Sequence, residues 1–162
     1  MFKELTTEKI IMNNIKVIRI QDDNVLQEAM KIRYKVFVEE QKVPAEEELD
    51  EFETSARHFL ALEGSKPLGT ARWRFTAKGC KLERFAVLEE ARGKGVGKAL
   101  VKAVVEDIEE VIKKEGKKEI LMYLHGQVTA VPLYEKFGFI PAGNPFDECG
   151  IMHYYMSKML VL

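Results

Sequence analysis

Arg92-Gly93-Lys94-Gly95-Val96-Gly97 constrains this chain more than any other stretch, because of what stands on either side of it. Lys81 to Leu88 reads as a strand. Val96 to Lys114 reads as an amphipathic helix, in which Val96, Leu100, Val104, Ile108 and Ile112 step by four and form an apolar stripe for a sheet. A strand that passes through glycines into a helix start builds a cradle of backbone N–H groups, and the helix dipole adds positive potential. Glycines let the backbone approach an anion closely and reach conformations that a β-carbon forbids. Arg92 and Lys94 add full charges. A pyrophosphate suits this arrangement; an ordinary strand-to-helix turn is the bland alternative.

Two common nucleotide motifs do not fit. A P-loop needs four residues between its glycines and then Gly-Lys-Ser/Thr, whereas Gly97-Lys98 is followed by Ala99 and lacks the upstream glycine. A dinucleotide fingerprint needs G-x-G-x-x-G near the start of a βαβ unit; here the spacing is G-x-G-x-G, deep in the chain, with no convincing ribose-binding acid after it. The net charge of −1 argues against general nucleic-acid binding. At 162 residues, 46% hydrophobic and 31% charged, the chain suits one soluble domain with a real core. No apolar run approaches a membrane span, and Met1-Phe2-Lys3-Glu4-Leu5 lacks the features of a signal peptide, so the expected location is the cytoplasm, away from membranes. Cys80 and Cys149 read as ordinary thiols. His58, His125 and His153 are scattered without a metal-binding spacing, so no metal is expected.

Periodicity gives the order β-α-β-β-β-α-β-α-β-β. Asn14–Ile20 is the first strand, and Asp22-Asp23-Asn24 caps a helix running from Val25 to about Glu40. Glu39 to Glu53 then carries eight carboxylates against one lysine. His58–Leu62 and Pro67–Thr76 form a hairpin, and Glu119–Leu124 is a short buried strand. A short helix around Ala130–Phe137 ends at Gly138, and Phe139-Ile140 and Met152–Leu160 supply the last strands. The fold class is α/β: a single domain over 14–162 with a mixed, mostly antiparallel central sheet flanked by helices. Residues 1–13 are expected to be a flexible segment.

Arg92-x-x-Gly95-x-Gly97 resembles the Q/R-x-x-G-x-G/A signature with which the GNAT acetyltransferase superfamily grips acetyl-CoA. Two further segments agree. Ala130 to Phe139 is similar to the family's A-x-x-F-Y-x-x-x-G-F, with Leu133 in place of the phenylalanine, and Gln127 stands where an asparagine is frequent. Arg33 to Gln41 with Glu48-x-Asp50 resembles R-x-x-V-F-V-x-E-Q…E-x-D of the small bacterial ElaA/YjcF-like branch, and Gly150-Ile151-Met152-His153 resembles its closing G-I-P-H.

The resemblance implies an N-acetyltransferase that moves an acetyl group from acetyl-CoA, as cosubstrate, to the amine of a small molecule or peptide by direct attack in a ternary complex. On that footing the N–H groups of Gly93, Lys94, Gly95, Val96, Gly97 and Lys98, with Arg92, hold the pyrophosphate. Phe85, Ala86 and Val87 offer backbone bonds to the pantetheine arm, and Gln127 and Tyr134 complete the coenzyme site. Tyr134 is the candidate acid: a tyrosine with a pKa of about 10 stays protonated at neutral pH and can donate to a thiolate whose thiol titrates near about 8.5. The base is Glu83, if apolar burial raises its pKa, or His153 as a neutral imidazole. Arg33, Phe37 and Gln41 recur about one turn apart and would line an acceptor wall with Glu48 and His153. The acidic run reads either as a solvated loop or as a negative mouth for a cationic amine such as a polyamine or aminosugar; charge runs are more often the former. His58 and His125 read as structural. A homodimer is left open.

Two other functions fit parts of the pattern. One is a non-catalytic acyl-CoA-binding regulatory module, which needs the same glycine loop. The other is an acyl-homoserine-lactone-synthase-like acyltransferase. Those enzymes are longer and carry a tryptophan near the acidic segment, whereas Trp73 stands on an expected strand.

Overall fold

A computed structural model describes residues 10–12 and 14–162. Most of the segment expected to be flexible, residues 1–9 and 13, lies outside the described residues. Ile10–Met12 is a short strand, β1, paired antiparallel with β2 (Ile15–Arg19). The chain continues as α1 (Asp23–Arg33), α2 (Ala45–Glu48), β3 (Arg57–Glu63), β4 (Lys66–Phe75), β5 (Cys80–Val87), α3 (Val96–Lys114), β6 (Glu119–Gln127), α4 (Val131–Glu135), β7 (Ile140–Glu148) and β8 (Ile151–Val161). One sheet holds all the strands in the order β1-β2-β3-β4-β5-β6-β8-β7. Every pairing is antiparallel except β5 with β6.

Helix α3 covers one face with the stripe the sequence shows. Val96, Leu100, Val104, Ile108 and Ile112 are buried against Phe59, Trp73, Leu82 and Met122. On the same side Trp73 donates its indole N–H to Asp107 at 2.7 Å, which accounts for a buried carboxylate on α3. The other face is covered by α1 through Val25, Ala29 and Ile32, packed on Ile18, Leu60 and Leu62. Asp22 caps α1 by accepting the Val25 N–H at 2.9 Å.

Three departures from the sequence reading shape the site. The first helix does not run on as α-helix; from Tyr34 to Glu40 it widens to π geometry, and the Gln41 N–H reaches Val36 O, five residues back, at 3.0 Å. The strand expected at Phe139-Ile140 is much longer: β7 runs on from Ile140 through Pro141, Gly143 and Pro145 to Glu148. An edge strand tolerates them, with its pairing shifted between Ala142 and Phe146. Thirdly, Glu48, Asp50 and Glu53 of the acidic run fold inward, while Glu39, Glu46, Glu47 and Glu51 stay exposed.

Its inward carboxylates meet buried arginines. Arg33, 1% exposed, donates to Glu48 Oε1 at 2.5 Å and to both oxygens of Glu53 at 2.8 Å. Arg72, fully buried on β4, reaches Asp50 at 2.5 and 3.0 Å, Glu53 at 2.7 Å and Glu83 at 2.8 Å. Arg84 donates to the Glu48 carbonyl at 3.2 and 3.1 Å and to Asp50 at 3.2 Å, and Arg74 to Glu83 at 2.8 Å. Burial pulls the Asp50 carboxyl upward, but the hydrogen bonds from Arg72 and the Phe52 N–H, with the charges of Arg72 and Arg84, outweigh it and leave it at about 2. The same contest, won by the arginines, lowers Glu53 and Glu83.

Carboxyls depressed in the folded state contribute stability that is complete above their unfolded values near about 4 and is lost as pH falls toward about 2. Asp50 alone accounts for roughly 2 kcal/mol of that loss. Urea unfolding between pH 6 and 2.5 is therefore expected to show a steep acid decline. Arg72→Met, which takes one guanidinium partner from each of three carboxylates, should cost about 3 kcal/mol near neutrality and flatten that decline. An unchanged acid slope in Arg72→Met would refute this account.

Candidate active site

Strands β5 and β6 pair only at Cys80 with Met122, Lys81 with Tyr123 and Leu82 with Leu124. Beyond these they diverge, β5 staying on β4 and β6 on β8. A bulge on β5 sharpens the split. Arg84 adopts φ +59°, and the pairing with β4 slips between Thr70 and Arg72. The gap opens into a cavity of about 800 Å³. At its end Gly93 and Gly95 turn with φ of +80° and +87°, Gly95 standing just before α3, so the N–H groups that open this helix face the mouth without an intrahelical partner.

Most of the residues expected to hold a coenzyme line this cavity: Phe85, Ala86, Val87, Arg92, Gly93, Gly97, Gln127 and Tyr134. Lys94, Gly95, Val96 and Lys98 do not. Lys94 and Lys98 are exposed on its outside, and the Val96 side chain is 1% exposed in the core, so any part it takes in binding is through its N–H. Arg92 is not a free charge. Its guanidinium clasps the Glu40 carboxylate at 2.6 and 2.7 Å and folds back on Val87 O at 3.1 Å. Beside Glu40, the Gln41 and Gln127 amides bond to each other, at 3.0 Å for Gln127 Nε2 to Gln41 Oε1. Residues 40 and 41 thus strap the end of the π-helix to both arms of the gap.

Tyr134, 6% exposed, packs edge-on against Phe85 and Phe139, with ring centroids 5.7 and 6.5 Å away. Its hydroxyl makes no hydrogen bond among the described residues, and burial drives its pKa further up. It is a protonated donor with nothing yet to donate to.

Glu83 lines the cavity, but not in the state expected of a base. Burial acts to raise its pKa, while the charge of Arg72, the hydrogen bond from Arg74 and the charge of Lys81 push harder the other way. Apolar neighbours do not decide its titration; guanidinium groups do. His153, 8% exposed, also lines the cavity and places Nδ1 2.7 Å from Ile151 O. A carbonyl only accepts, so Nδ1 carries a proton and Nε2 is the ring nitrogen left to face the cavity.

Among the expected acceptor residues, Phe37, Gln41 and Glu48 line the cavity and Arg33 does not. Arg33 lies before the helix widens, which breaks the four-residue spacing that grouped the three, and it braces Glu48 and Glu53 instead. His58 donates Nε2–H to Glu53 O at 2.7 Å within the arginine cluster. His125, read as structural, is on the cavity wall with Nδ1 3.3 Å from Glu148. Sequence reasoning also passed over Glu40, Glu47, Glu148 and Cys149, all of which line it. Glu40 and Glu47 lay unresolved within the acidic run. Glu148 and Cys149 sit in a segment taken for a loop, where no local pattern marks them.

Among the described residues no His, Cys, Asp and Glu group is placed to hold a metal ion, and no helix is long and apolar enough to cross a membrane. The family model for the acetyltransferase (GNAT) domain matches residues 17–160. The chain is 37% identical over 145 residues to the uncharacterized N-acetyltransferase YjcF of Bacillus subtilis, an alignment covering 89% of this chain and 99% of YjcF. The crystal structure of Escherichia coli ElaA superposes with a TM-score of 0.77 at 24% identity, covering 89% of this chain and 99% of that one. A GNAT family acetyltransferase from Elizabethkingia anophelis with acetyl-CoA bound superposes at 0.59 and 18% identity, covering 93% of this chain and all of the other. A parted parallel strand pair ending in a glycine-cradled helix start, together with these matches, makes the chain a member of the GNAT acetyltransferase family, an acyltransferase.

Proposed function

We propose that this protein transfers an acetyl group from acetyl-CoA to the amine of a small molecule or peptide, by direct attack within a ternary complex. The observation that carries this reading is Tyr134: its ring is buried, and its hydroxyl, protonated and without a hydrogen-bond partner among the described residues, belongs to the lining of the cavity at the strand split. The residues fit the coenzyme. The N–H groups opening α3, behind Gly93 and Gly95, face a pyrophosphate, and the β5 edge beyond Leu82 has no β6 partner, leaving backbone groups for a pantetheine arm. Acetyl-CoA supplies an activated thioester and a thiolate leaving group.

The chain's own groups do the rest. His153 Nε2 takes a proton from the incoming ammonium, which then attacks as a neutral amine; the C–N bond forms and the C–S bond breaks. Tyr134 gives its proton to the departing sulfur and regains one from the acylated nitrogen through water. A backbone N–H near Val87 is the donor assigned to the thioester oxygen. His153 is the better base than Glu83, because its Nε2 faces the cavity and the Glu83 oxygens are held by cations.

Free-thiol release from acetyl-CoA with a panel of amines tests the reaction. Tyr134→Phe should lower amine-dependent release at least about tenfold, ~1.4 kcal/mol of barrier, with coenzyme affinity little changed. Full activity in that variant would remove Tyr134 as the acid. Coenzyme binding with no release for any amine would favour the binding-module reading instead.

The Glu40–Arg92 pair yields a second expectation. An incoming pyrophosphate and the Glu40 carboxylate compete for one guanidinium. Glu40→Gln should therefore tighten CoA binding by about fivefold at low salt, the ~1 kcal/mol scale of an exposed ion pair, and the gain should shrink as salt rises. Calorimetric titration decides it. Weaker binding by Glu40→Gln would mean that the carboxylate orients Arg92 for the ligand and does not compete with it.

A further inference from the structure

The carboxylates lining the cavity divide by what holds them. Glu40 is clasped by Arg92, Glu48 by Arg33, and Glu83 by Arg72 and Arg74. Each faces a guanidinium and presents little net charge to an incoming molecule. The cations on the wall are spent in the same way. Lys81 lies 3.5 Å from Glu83 Oε1, and Arg84 donates to the Glu48 carbonyl and to Asp50.

Glu47 and Glu148 are different. Glu47, on α2, accepts only from the Cys149 thiol at 3.0 Å, and Glu148, ending β7, faces the His125 ring at 3.3 Å. Neither forms an ion pair with an arginine or lysine among the described residues, although the more distant Lys81 charge reaches Glu148. The two act on the same spot: the Cys149 thiol is held up at about 11 by its hydrogen bond to Glu47, by burial, and by the charges of Glu47 and Glu148. A second and independent feature points to a ligand here. His153 is 8% exposed and lines the same cavity, and its Nε2 has no partner among the described residues.

We infer that Glu47 and Glu148 form a cation seat at the acceptor mouth, and that the acceptor is a diamine: a small molecule with one amine to be acylated and a second cationic nitrogen a short chain away. This rests on the acyl-transfer reading above. The physical reason for a second charge is that the reacting nitrogen must lose its charge before it attacks. A carboxylate paired with that nitrogen would stabilise the ground state and raise the barrier, so it would bind without accelerating. Carboxylates kept unmatched at the mouth suit a charge that persists through the transition state. His153 lines the same cavity, and the nitrogen that becomes neutral must lie within its reach.

Thiol release with butylamine, putrescine and γ-aminobutyrate isolates the second charge, since these differ at the far end of a chain of the same length. The expected kcat/KM order is putrescine, then butylamine, then γ-aminobutyrate, with putrescine ahead of butylamine by about fivefold, as ion pairs to solvent-exposed carboxylates give. In Glu47→Gln/Glu148→Gln the putrescine-to-butylamine ratio should fall to about one or two. The same amines are titrated calorimetrically into the protein with CoA present. Putrescine binding that the double variant loses, without turnover of any amine, would support the seat and sink the transfer reading alone. No preference for putrescine over butylamine in either measurement, or a preference intact in the double variant, would overturn the seat.

Discussion

The separation of β5 from β6 after Leu82 and Leu124 is the constraint on which the rest of this structure depends. Two strands that part in mid-sheet expose backbone N–H and C=O groups along both inner edges, which a folded chain ordinarily avoids. The split is held from outside. β5 is locked to β4 and β6 to β8, and the Arg84 bulge bends β5 away from its neighbour. α3 packs under β5 and the strands beside it, with Leu100 and Val104 in the core that this face shares. The glycine turn and the start of α3 then fall at one end of the gap, the acidic segment at the other.

Buried ions are the second device, and an expensive one. Arg33 and Arg72 are almost fully dehydrated, and a pair of that kind is worth keeping only if every donor and acceptor is met. Here they are met: no buried side-chain nitrogen or oxygen among the described residues lacks a partner. The cluster ties the segment after α1 to β4 and β5 at the point where the bulge turns outward, through Arg84 on the Glu48 carbonyl and Arg72 on Asp50 and Glu83. It therefore fixes the acceptor wall relative to the strand split. An apolar contact of the same area would bind the two together without specifying the register between them.

The sequence announced the sheet-covering faces and the coenzyme end, and it did so for physical reasons. The stripe on α3 repeats at helical spacing, and the glycines of the Arg92–Gly97 loop signal positive φ, which the chain adopts at Gly93 and Gly95. The acceptor end was less legible. A π turn leaves no mark in residue spacing, so Arg33 was grouped with Phe37 and Gln41 although it faces the arginine cluster. Pro141, Gly143 and Pro145 hid most of β7, and with it Glu148 and the hairpin that brings Cys149 to Glu47. Glu83 was judged by its apolar neighbours in sequence, while Arg72 and Arg74, which set its titration, come from the adjacent strand. What local pattern could not supply was pairing: which charge lies opposite which depends on register across the sheet.

The polar atoms left unmatched inside the cavity are as telling as those that are matched. A chain that satisfies every buried guanidinium and carboxylate leaves the Tyr134 hydroxyl and His153 Nε2 without partners, on the wall of one cavity. Neither atom is sealed off, since no buried side-chain nitrogen or oxygen among the described residues lacks a partner; each is open to the cavity and to what enters it. Both are oriented by neighbours that take no part in that vacancy: Tyr134 by the edges of Phe85 and Phe139, His153 by the Ile151 carbonyl and the face of Phe146. A donor and an acceptor, each held in place from behind and open in front, are arranged before any ligand arrives. The reorganisation that a reaction in water would require at the transition state has then been met during folding.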